Sequence, residues 1–202
     1  MGLFSRYTLF GLLKLTFSYL YTKVFFPKAR IIRLPFDIRG KRFVEIGSRF
    51  TTGVGCRIEA FPIDQKSTVL RIGNNVQIND YVHITAVSNV KIGNNVLMAS
   101  KVYISDSTHG SYSGNSLDSH PESIPIDRPL TYENVVIADN VWIGEHVSIL
   151  PGVSIGRGTI IGANSVVTKS LPEYVIAVGI PAKPIKRFNL TTQHWEKYYE
   201  KV

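Results

Sequence analysis

The segment VVIADNVWIGEHVSILPGVSIGRGTIIGANSVV, residues 135–167, carries the same pattern every six residues. A large aliphatic residue recurs at each sixth position: Ile137, Ile143, Ile149, Ile155, Ile161 and Val167. Because an α-helix has about 3.6 residues per turn, residues six apart move around its surface and cannot form one buried stripe. Short strands of β-branched residues, joined by corners where glycine permits a tight bend, can bury every sixth side chain. The segment therefore predicts a solenoid whose coils each contain three short parallel strands.

The six-residue period continues through the N-terminal half of the chain in three shorter runs. These are Ile46, Thr52, Ile58; Ile72, Ile78, Ile84; and Ile92, Met98, Ile104. Isoleucine occupies twelve of the fifteen positions in the four runs, and glycine follows seven of them, so coincidence is a poor explanation. Small or β-branched residues dominate four positions later, and Cys56 is one of them. We expect that second row to point inward as well, which places Cys56 in the core.

Breaks in the period mark insertions and ends. Ile104 and Ile137 are 33 residues apart, so residues 105–135 are expected to leave the coil as a long loop. Loops of this length inside a compact domain are uncommon and often functional. The period stops at Leu171-Pro172, and the aromatic residues near the C terminus suggest a short helix that covers the open end of the solenoid. The predicted organisation is an N-terminal amphipathic and basic segment (1–43), an all-β solenoid (44–188) and a C-terminal helix (189–202).

Composition limits the classes of function. The chain has 202 residues and a formal net charge of +8, which suits an anionic partner without choosing one. Its single cysteine excludes an intramolecular disulfide framework and a cysteine-based zinc cluster. The basic residues cluster at the two ends rather than along one face with aromatic residues, so nucleic-acid binding is not expected.

The N-terminal segment is amphipathic. Drawn as a helix, its large apolar residues share one face: Leu9, Phe10, Leu13, Phe17, Leu20 and Val24. Charged residues interrupt the segment too often for a membrane span, and it lacks the small residues of a signal cleavage site. Lys28, Arg30 and Arg33 follow, so residues 3–33 are interpreted as lying in an anionic membrane interface or packing on the chain's own domain or a neighbouring subunit.

The hexads resemble the left-handed β-helix of the hexapeptide-repeat acyltransferases. Residues 141–188 are similar to the C-terminal half of the maltose, thiogalactoside, nodulation-factor and streptogramin acetyltransferase group. The stretch SDSTHG (105–110) and the basic, apolar N terminus most resemble the bacterial O-acetyltransferases of surface-polysaccharide assembly. The resemblance implies a cytoplasmic homotrimer that binds acetyl-CoA, without a metal, in a groove between adjacent solenoids, and whose acceptor is a sugar or a lipid-linked oligosaccharide.

The resemblance also implies site residues. The segment VLMASKVYISDSTH (96–109) matches the family without a gap up to the general base, which implies that role for His109. Asp106 is a candidate for orienting the imidazole, and backbone N–H groups near Gly144 are candidate oxyanion donors. Positions expected to contact acetyl-CoA are Trp142, Gly144, Ala163, Thr168, Lys169, Lys183 and Lys186.

Other polar residues have competing interpretations. His83 and Tyr81 could face the acceptor, or His83 could simply face solvent. His120 is the rival base in the same loop, whereas His146 is expected at the surface. Asp127 and Arg128 could bind the acceptor or brace the loop, and the sequence leaves both open.

The function that the resemblance implies is O-acetylation of a sugar in lipopolysaccharide O-antigen, capsule or exopolysaccharide. The alternatives are N-acetylation of a nucleotide-linked amino sugar, antibiotic acetylation, and a non-catalytic scaffold or partner subunit. A zinc enzyme of the γ-carbonic-anhydrase type is disfavoured, since it requires three histidine ligands and the nearest pair, His109 and His120, is eleven residues apart.

Overall fold

The computed structural model describes residues 7–199, which form a β-helix with one α-helix at its N-terminal end. Three sheets make the walls of the solenoid. Sheet A contains β3 (Thr51–Thr52), β6 (Gln77–Ile78), β9 (Leu97–Met98), β14 (Trp142–Ile143), β17 (Ile160–Ile161), β19 (Val175–Gly179), β20 (Ala182–Asn189) and β21 (His194–Lys197). Sheet B contains β1 (Phe36–Arg39), β4 (Cys56–Ala60), β7 (His83–Ala86), β10 (Tyr103–Ser105), β15 (Ser148–Ile149) and β18 (Val166–Val167). Sheet C contains β2 (Val44–Ile46), β5 (Leu70–Ile72), β8 (Val90–Ile92), β13 (Val135–Ile137) and β16 (Ser154–Ile155).

Parallel pairing stacks the predicted hexad positions on one another. In sheet B, Ile58 pairs with Ile84, Ile84 with Ile104, and Ile104 with Ile149. Every hexad position is buried except Ile46, which is half-buried in the first coil. The second inward row is buried too, and burial raises the pKa of the Cys56 thiol to about 11. The predicted core and the position of Cys56 in it are therefore confirmed.

Glycines occur at the corners of the solenoid because successive coils approach one another closely there. A Cβ atom on Gly47 would lie 2.5 Å from the carbonyl oxygen of Gly73 in the next coil, and one on Gly73 would lie 2.6 Å from that of Gly93. Because successive corners approach this closely, a side chain at these positions would force the coils apart. Side-chain oxygens also join the coils, since Asn94 Oδ1 accepts from the N–H of Asn74 at 2.8 Å.

The insertion leaves the corner between sheets B and C, after β10, and returns at β13. It contains an antiparallel pair, β11 (Ser107–His109) with β12 (Leu130–Tyr132), and a 3₁₀ turn at Pro125–Asp127. This hairpin places the loop on the side of the solenoid opposite sheet A, which follows from the order of the sheets around each coil.

The N-terminal helix, α1 (Leu9–Phe25), packs on the first coil. Strand pairing begins at β1, ahead of residue 44 where the period places the start of the solenoid. The helix thus packs on the chain's own domain, but its large apolar residues point away from it. Within the part of the chain described, no helix is both long and apolar enough to cross a membrane.

The C-terminal helix predicted for residues 189–202 is wrong within the described residues. The chain instead forms a hairpin in which β20 pairs with β21, and Trp195 packs edge-on against Phe188 at 5.3 Å between ring centroids. Asn189 Oδ1 accepts from the N–H groups of Thr191 and Thr192, which closes the turn. Trp195 thus lies on a strand, Tyr198 and Tyr199 follow it, and this strand extends the sheet edge that the helix was expected to cover.

Candidate active site

His109 lies at the end of β11, with its side chain exposed. Its register partner is Leu130 on β12, and the base of the hairpin is closed by a hydrogen bond from the N–H of Glu133 to the carbonyl of Asp106. Two paired strands therefore hold the backbone of His109, while its imidazole stays open to an incoming group. This arrangement suits a base that meets its substrate from outside the chain.

The loop beyond His109 is braced by a pair that the sequence did not single out as a unit. Tyr112 Oη donates to the carbonyl of His109 at 2.8 Å and accepts from Arg128 Nη1 at 2.9 Å. The same guanidinium donates to the carbonyls of Pro121 and Ser123. Arg128 therefore braces the loop in this structure, and Tyr112 connects that brace to the backbone of the candidate base.

Asp106 supports the loop from beneath. Its carboxylate is buried and accepts from the N–H groups of Val87, Ser88 and Asn89, at 2.8–3.2 Å. These bonds tie the start of the insertion to the neighbouring corner of the coil below. The carboxylate of Asp106 therefore binds backbone N–H groups in this structure, and not the imidazole of His109 as predicted.

Replacing Asp106 with alanine is expected to lower the free energy of unfolding by about 3 kcal/mol, since three backbone N–H groups would lose a charged acceptor in a buried corner. Urea denaturation at fixed protein concentration measures this change. Asp118→Ala is the matched control, because Asp118 also accepts from two backbone N–H groups but is fully exposed, and it should cost less. Equal stability of Asp106→Ala and the parent would contradict this account.

His83 lies on the outer face of sheet B, in a network of charges. Its Nε2 is 2.8 Å from Glu59 Oε2, and its Nδ1 is 3.3 Å from Arg57 Nη2. Because an arginine can only donate, Nδ1 accepts and Nε2 carries the proton in this tautomer. Arg39 also binds Glu59, at 2.8 Å. Both ring nitrogens of His83 are therefore engaged, and His83 is neither a free base nor a purely solvent-facing residue.

The remaining candidates near the acceptor are separated from one another. Tyr81 has a φ of +59° and lies at the corner between sheets A and B, in a cavity beside α1 that Lys14 and Arg33 also line. His120 Nδ1 accepts from the N–H of Glu122 at 3.2 Å, so it stabilises a turn of the loop. His146 is exposed at a corner of the coil, as expected. Within one chain, the corner that carries Tyr81 is not the corner that carries His109.

The candidate donor-binding residues fall into two groups on opposite sides of the solenoid. Thr168 and Lys169 follow β18 at the B–C corner, on the side of the loop with His109. Trp142 is half-exposed on the outer face of sheet A, opposite that corner. The rest of this second group lies on sheet A or at the corner after it: Gly144, Ala163, Lys183 and Lys186. One chain therefore does not bring the two groups of candidate residues together.

Neither the N–H of Gly144 nor the thiol of Cys56 is available for the reaction. The N–H of Gly144 donates to the carbonyl of Ile161 at 2.8 Å, so this N–H is not free to act as an oxyanion donor. Cys56 is buried with a raised pKa and is unsuited to form a covalent acyl intermediate. Among residues 7–199, no group of three or more histidine, cysteine or acidic side chains could hold a metal ion.

Known proteins resemble this chain in sequence and in fold. Residues 134–169 match the family described as "Bacterial transferase hexapeptide (six repeats)". The putative lipopolysaccharide biosynthesis O-acetyl transferase WbbJ of Escherichia coli (strain K12) is 45% identical over 197 residues, which cover 98% of each chain.

Two solved structures share the solenoid. The maltose O-acetyltransferase from Clostridium difficile 630 is 28% identical, with a TM-score of 0.56 over 73% of this chain and 71% of that one. A variant of AntD, an N-acyltransferase from Bacillus cereus, in complex with dTDP-4-amino-4,6-dideoxyglucose and coenzyme A, is 25% identical, with a TM-score of 0.65 over 78% and 79%. Since the hexads, the three-walled coil and a relative of full length agree, the chain belongs to the hexapeptide-repeat bacterial transferases.

Proposed function

We propose that the protein is an acetyl-CoA-dependent O-acetyltransferase that acetylates a sugar hydroxyl in lipopolysaccharide O-antigen, capsule or exopolysaccharide assembly. The observation that carries this proposal is the 45% identity to a relative named as a lipopolysaccharide biosynthesis O-acetyl transferase, along 98% of both chains. The exposed His109 on a braced hairpin supplies a group suited to the chemistry. The left-handed coil of the family is part of the proposal.

His109 acts as general base in direct transfer. Its neutral imidazole accepts the proton of the sugar hydroxyl as the oxygen attacks the thioester carbonyl carbon. The carbon–sulfur bond then breaks, and the imidazolium returns its proton to the leaving thiolate, so the histidine ends neutral. The hairpin contributes by holding the base in place before the acceptor arrives.

The site is proposed to form between subunits of a homotrimer. One chain carries His109, Thr168 and Lys169 at the B–C corner, whereas Trp142 lies on the opposite sheet. A neighbouring copy that presents its sheet A to this corner would complete the site. Cyclic assembly repeats this contact until the ring closes, and three copies give three equivalent sites.

Acetyl-CoA is proposed to lie along that contact. The exposure of Trp142 and Ala163 supports contact with the pantetheine arm, and the exposed Lys183 and Lys186 on β20 support contact with the phosphates. Gly144 fits a role in close packing, since a Cβ atom there would lie 2.5 Å from the N atom of Ala163. Sheet A thus offers an apolar wall that ends in a basic hairpin.

N-acetylation of a nucleotide-linked amino sugar is the second candidate function. It is favoured by the solenoid that the chain shares with AntD, an N-acyltransferase whose structure contains a dTDP-linked amino sugar. His109 could serve an amine as it serves a hydroxyl. Comparing turnover on a lipid-linked repeat unit with turnover on nucleotide-linked amino sugars separates the two candidates.

The proposal includes a cytoplasmic location, with peripheral contact at the cytoplasmic face of the inner membrane through residues 3–33. An acceptor carried on a lipid would be met at that surface. Residues 3–6 lie outside the described residues.

Replacing Trp142 or Lys183 with alanine is expected to weaken acetyl-CoA binding about tenfold each, since one removes an aromatic contact surface and the other a phosphate partner. Calorimetric titration with acetyl-CoA, and with desulfo-CoA for comparison, measures this. His109→Ala should bind the donor like the parent and is the control. Absence of binding by the parent protein would remove the transferase and bring the scaffold interpretation forward.

A further inference from the structure

The helix α1 buries two polar residues against the protein, whereas its stripe of large apolar side chains faces away. Ser18 and Thr22 are its buried residues. Thr22 Oγ1 accepts from the N–H of Ile32 at 2.8 Å, and Ser18 Oγ accepts from the N–H of Leu34 at 3.2 Å. These bonds anchor the helix to the segment that leads into β1. A surface helix of a soluble domain ordinarily buries its apolar stripe, so this orientation is the reverse of the usual one.

The outward face of α1, called here the outer face, consists of six large apolar side chains, each 57–76% exposed: Leu9, Phe10, Leu13, Phe17, Leu20 and Val24. They form one contiguous stripe along the helix at helical spacing. An exposed apolar stripe of this kind marks a surface that contacts something else. Because side-chain hydrogen bonds hold the opposite face, the helix cannot simply roll to bury it without losing them.

The charges around the outer face indicate the occupant. The sequence up to Phe36 contains six lysine or arginine residues and no aspartate or glutamate. Lys14 and Lys23 flank the outer face on its two sides, and each lies over an aromatic ring of its own helix, at 4.5 and 5.2 Å from the centroids. Lysines at the margins of an apolar stripe can reach lipid headgroups while the stripe enters the acyl region.

We propose that the outer face of α1 lies flat in an anionic bilayer surface and that the N-terminal end of the solenoid faces the membrane. The orientation follows from the contacts of α1 with the first coil. In the proposed trimer, three parallel solenoids would bring three such helices to the same side, so their weak individual affinities would combine. This inference rests on the membrane location in the proposed function but not on the transfer chemistry.

Vesicle flotation of the full chain tests the inference. The protein should float with vesicles of phosphatidylethanolamine and phosphatidylglycerol, and much less with phosphatidylcholine alone, since anionic lipid attracts the flanking lysines. High salt should reduce the flotation. Failure of the parent protein to bind anionic vesicles would overturn the proposal.

Two triple variants distinguish binding through the outer face from nonspecific binding through any exposed apolar residue. The test variant carries Leu13→Ser, Phe17→Ser and Leu20→Ser, and it should lose at least about thirtyfold in vesicle partitioning. The control carries Leu117→Ser, Ile124→Ser and Ile126→Ser, which replaces three equally exposed apolar residues in the loop and should partition like the parent. Equal partitioning of the test variant and the parent would also overturn the proposal.

The same samples distinguish a membrane from a second copy as occupant. Acetyl-CoA titration of the test variant should give the parent's affinity, because the outer face does not contact the donor. If the parent itself fails to bind acetyl-CoA, the proposed transferase function is contradicted, but the membrane proposal is not. Size-exclusion chromatography should give the parent's oligomeric mass. A test variant that loses its oligomeric state would assign the outer face to contacts between copies and contradict the membrane proposal.

Discussion

His109→Ala is expected to lower kcat by about 10²- to 10⁴-fold, the range that a positioned general base contributes. KM for acetyl-CoA should change little, because the imidazole is assigned to the acceptor's proton rather than to the donor. Stability should stay near that of the parent, since the side chain of His109 is exposed and only its backbone is held by β11 and β12. Steady-state kinetics with saturating acetyl-CoA, together with thermal unfolding, measure these quantities.

The other histidine of the same loop provides the matched control. His120 is exposed, and its imidazole Nδ1 accepts a hydrogen bond from the N–H of Glu122. His120→Ala should therefore keep most of the parent's turnover. Full turnover of His109→Ala, or an equal loss in both variants, would refute the assignment of His109 as base.

Mixing two inactive variants is expected to restore activity. In the proposed trimer, each site takes His109 from one subunit and Trp142 from its neighbour. His109→Ala and a severe change at sheet A, Trp142→Asp, should each be nearly inactive alone, the second through loss of donor binding. When the two are co-expressed in equal amounts and assemble at random, about one quarter of the sites receive both intact residues. Turnover near a quarter of the parent's would be the result.

The mixture has an internal control and a clear negative outcome. Co-expression of His109→Ala with Thr168→Asp, also on the B–C corner, should restore less than the pair that includes sheet A. If the His109 and Trp142 variants stay inactive together while their mixed oligomers are demonstrated by mass, the site is not shared between subunits.

Much of the fold could be predicted because hexad periodicity is a local property of the chain. Each buried position repeats at a fixed interval, and each glycine corner is required by the close approach of the next coil. The C-terminal hairpin could not be predicted in this way. Its aromatic residues fit a helix or a strand equally, and the choice depends on the edge offered by β20.

Candidate site residues could be named from the sequence, but the geometry in which they lie could not be predicted. Asp106 is close to His109 in sequence, yet its carboxylate is held by the backbone of residues 87–89, which come near only when the coils stack. The brace of Tyr112 and Arg128 likewise joins residues from the two ends of one loop. These hydrogen bonds depend on distances between residues that are far apart in the sequence, and the spacing of residues along the chain does not specify those distances.

The solenoid, its core, the insertion and the helical N-terminal segment follow from residue order, since they depend on periodicity and on the chemistry of neighbouring residues. Three features required the folded chain: the exposed face of α1, the partners of His83 and Asp106, and the location of Trp142 and His109 on opposite sides of one chain. The physical reason is that periodicity specifies which side chains turn inward, whereas the outer surface is arranged by the closure of the coil and by hydrogen bonds between distant segments.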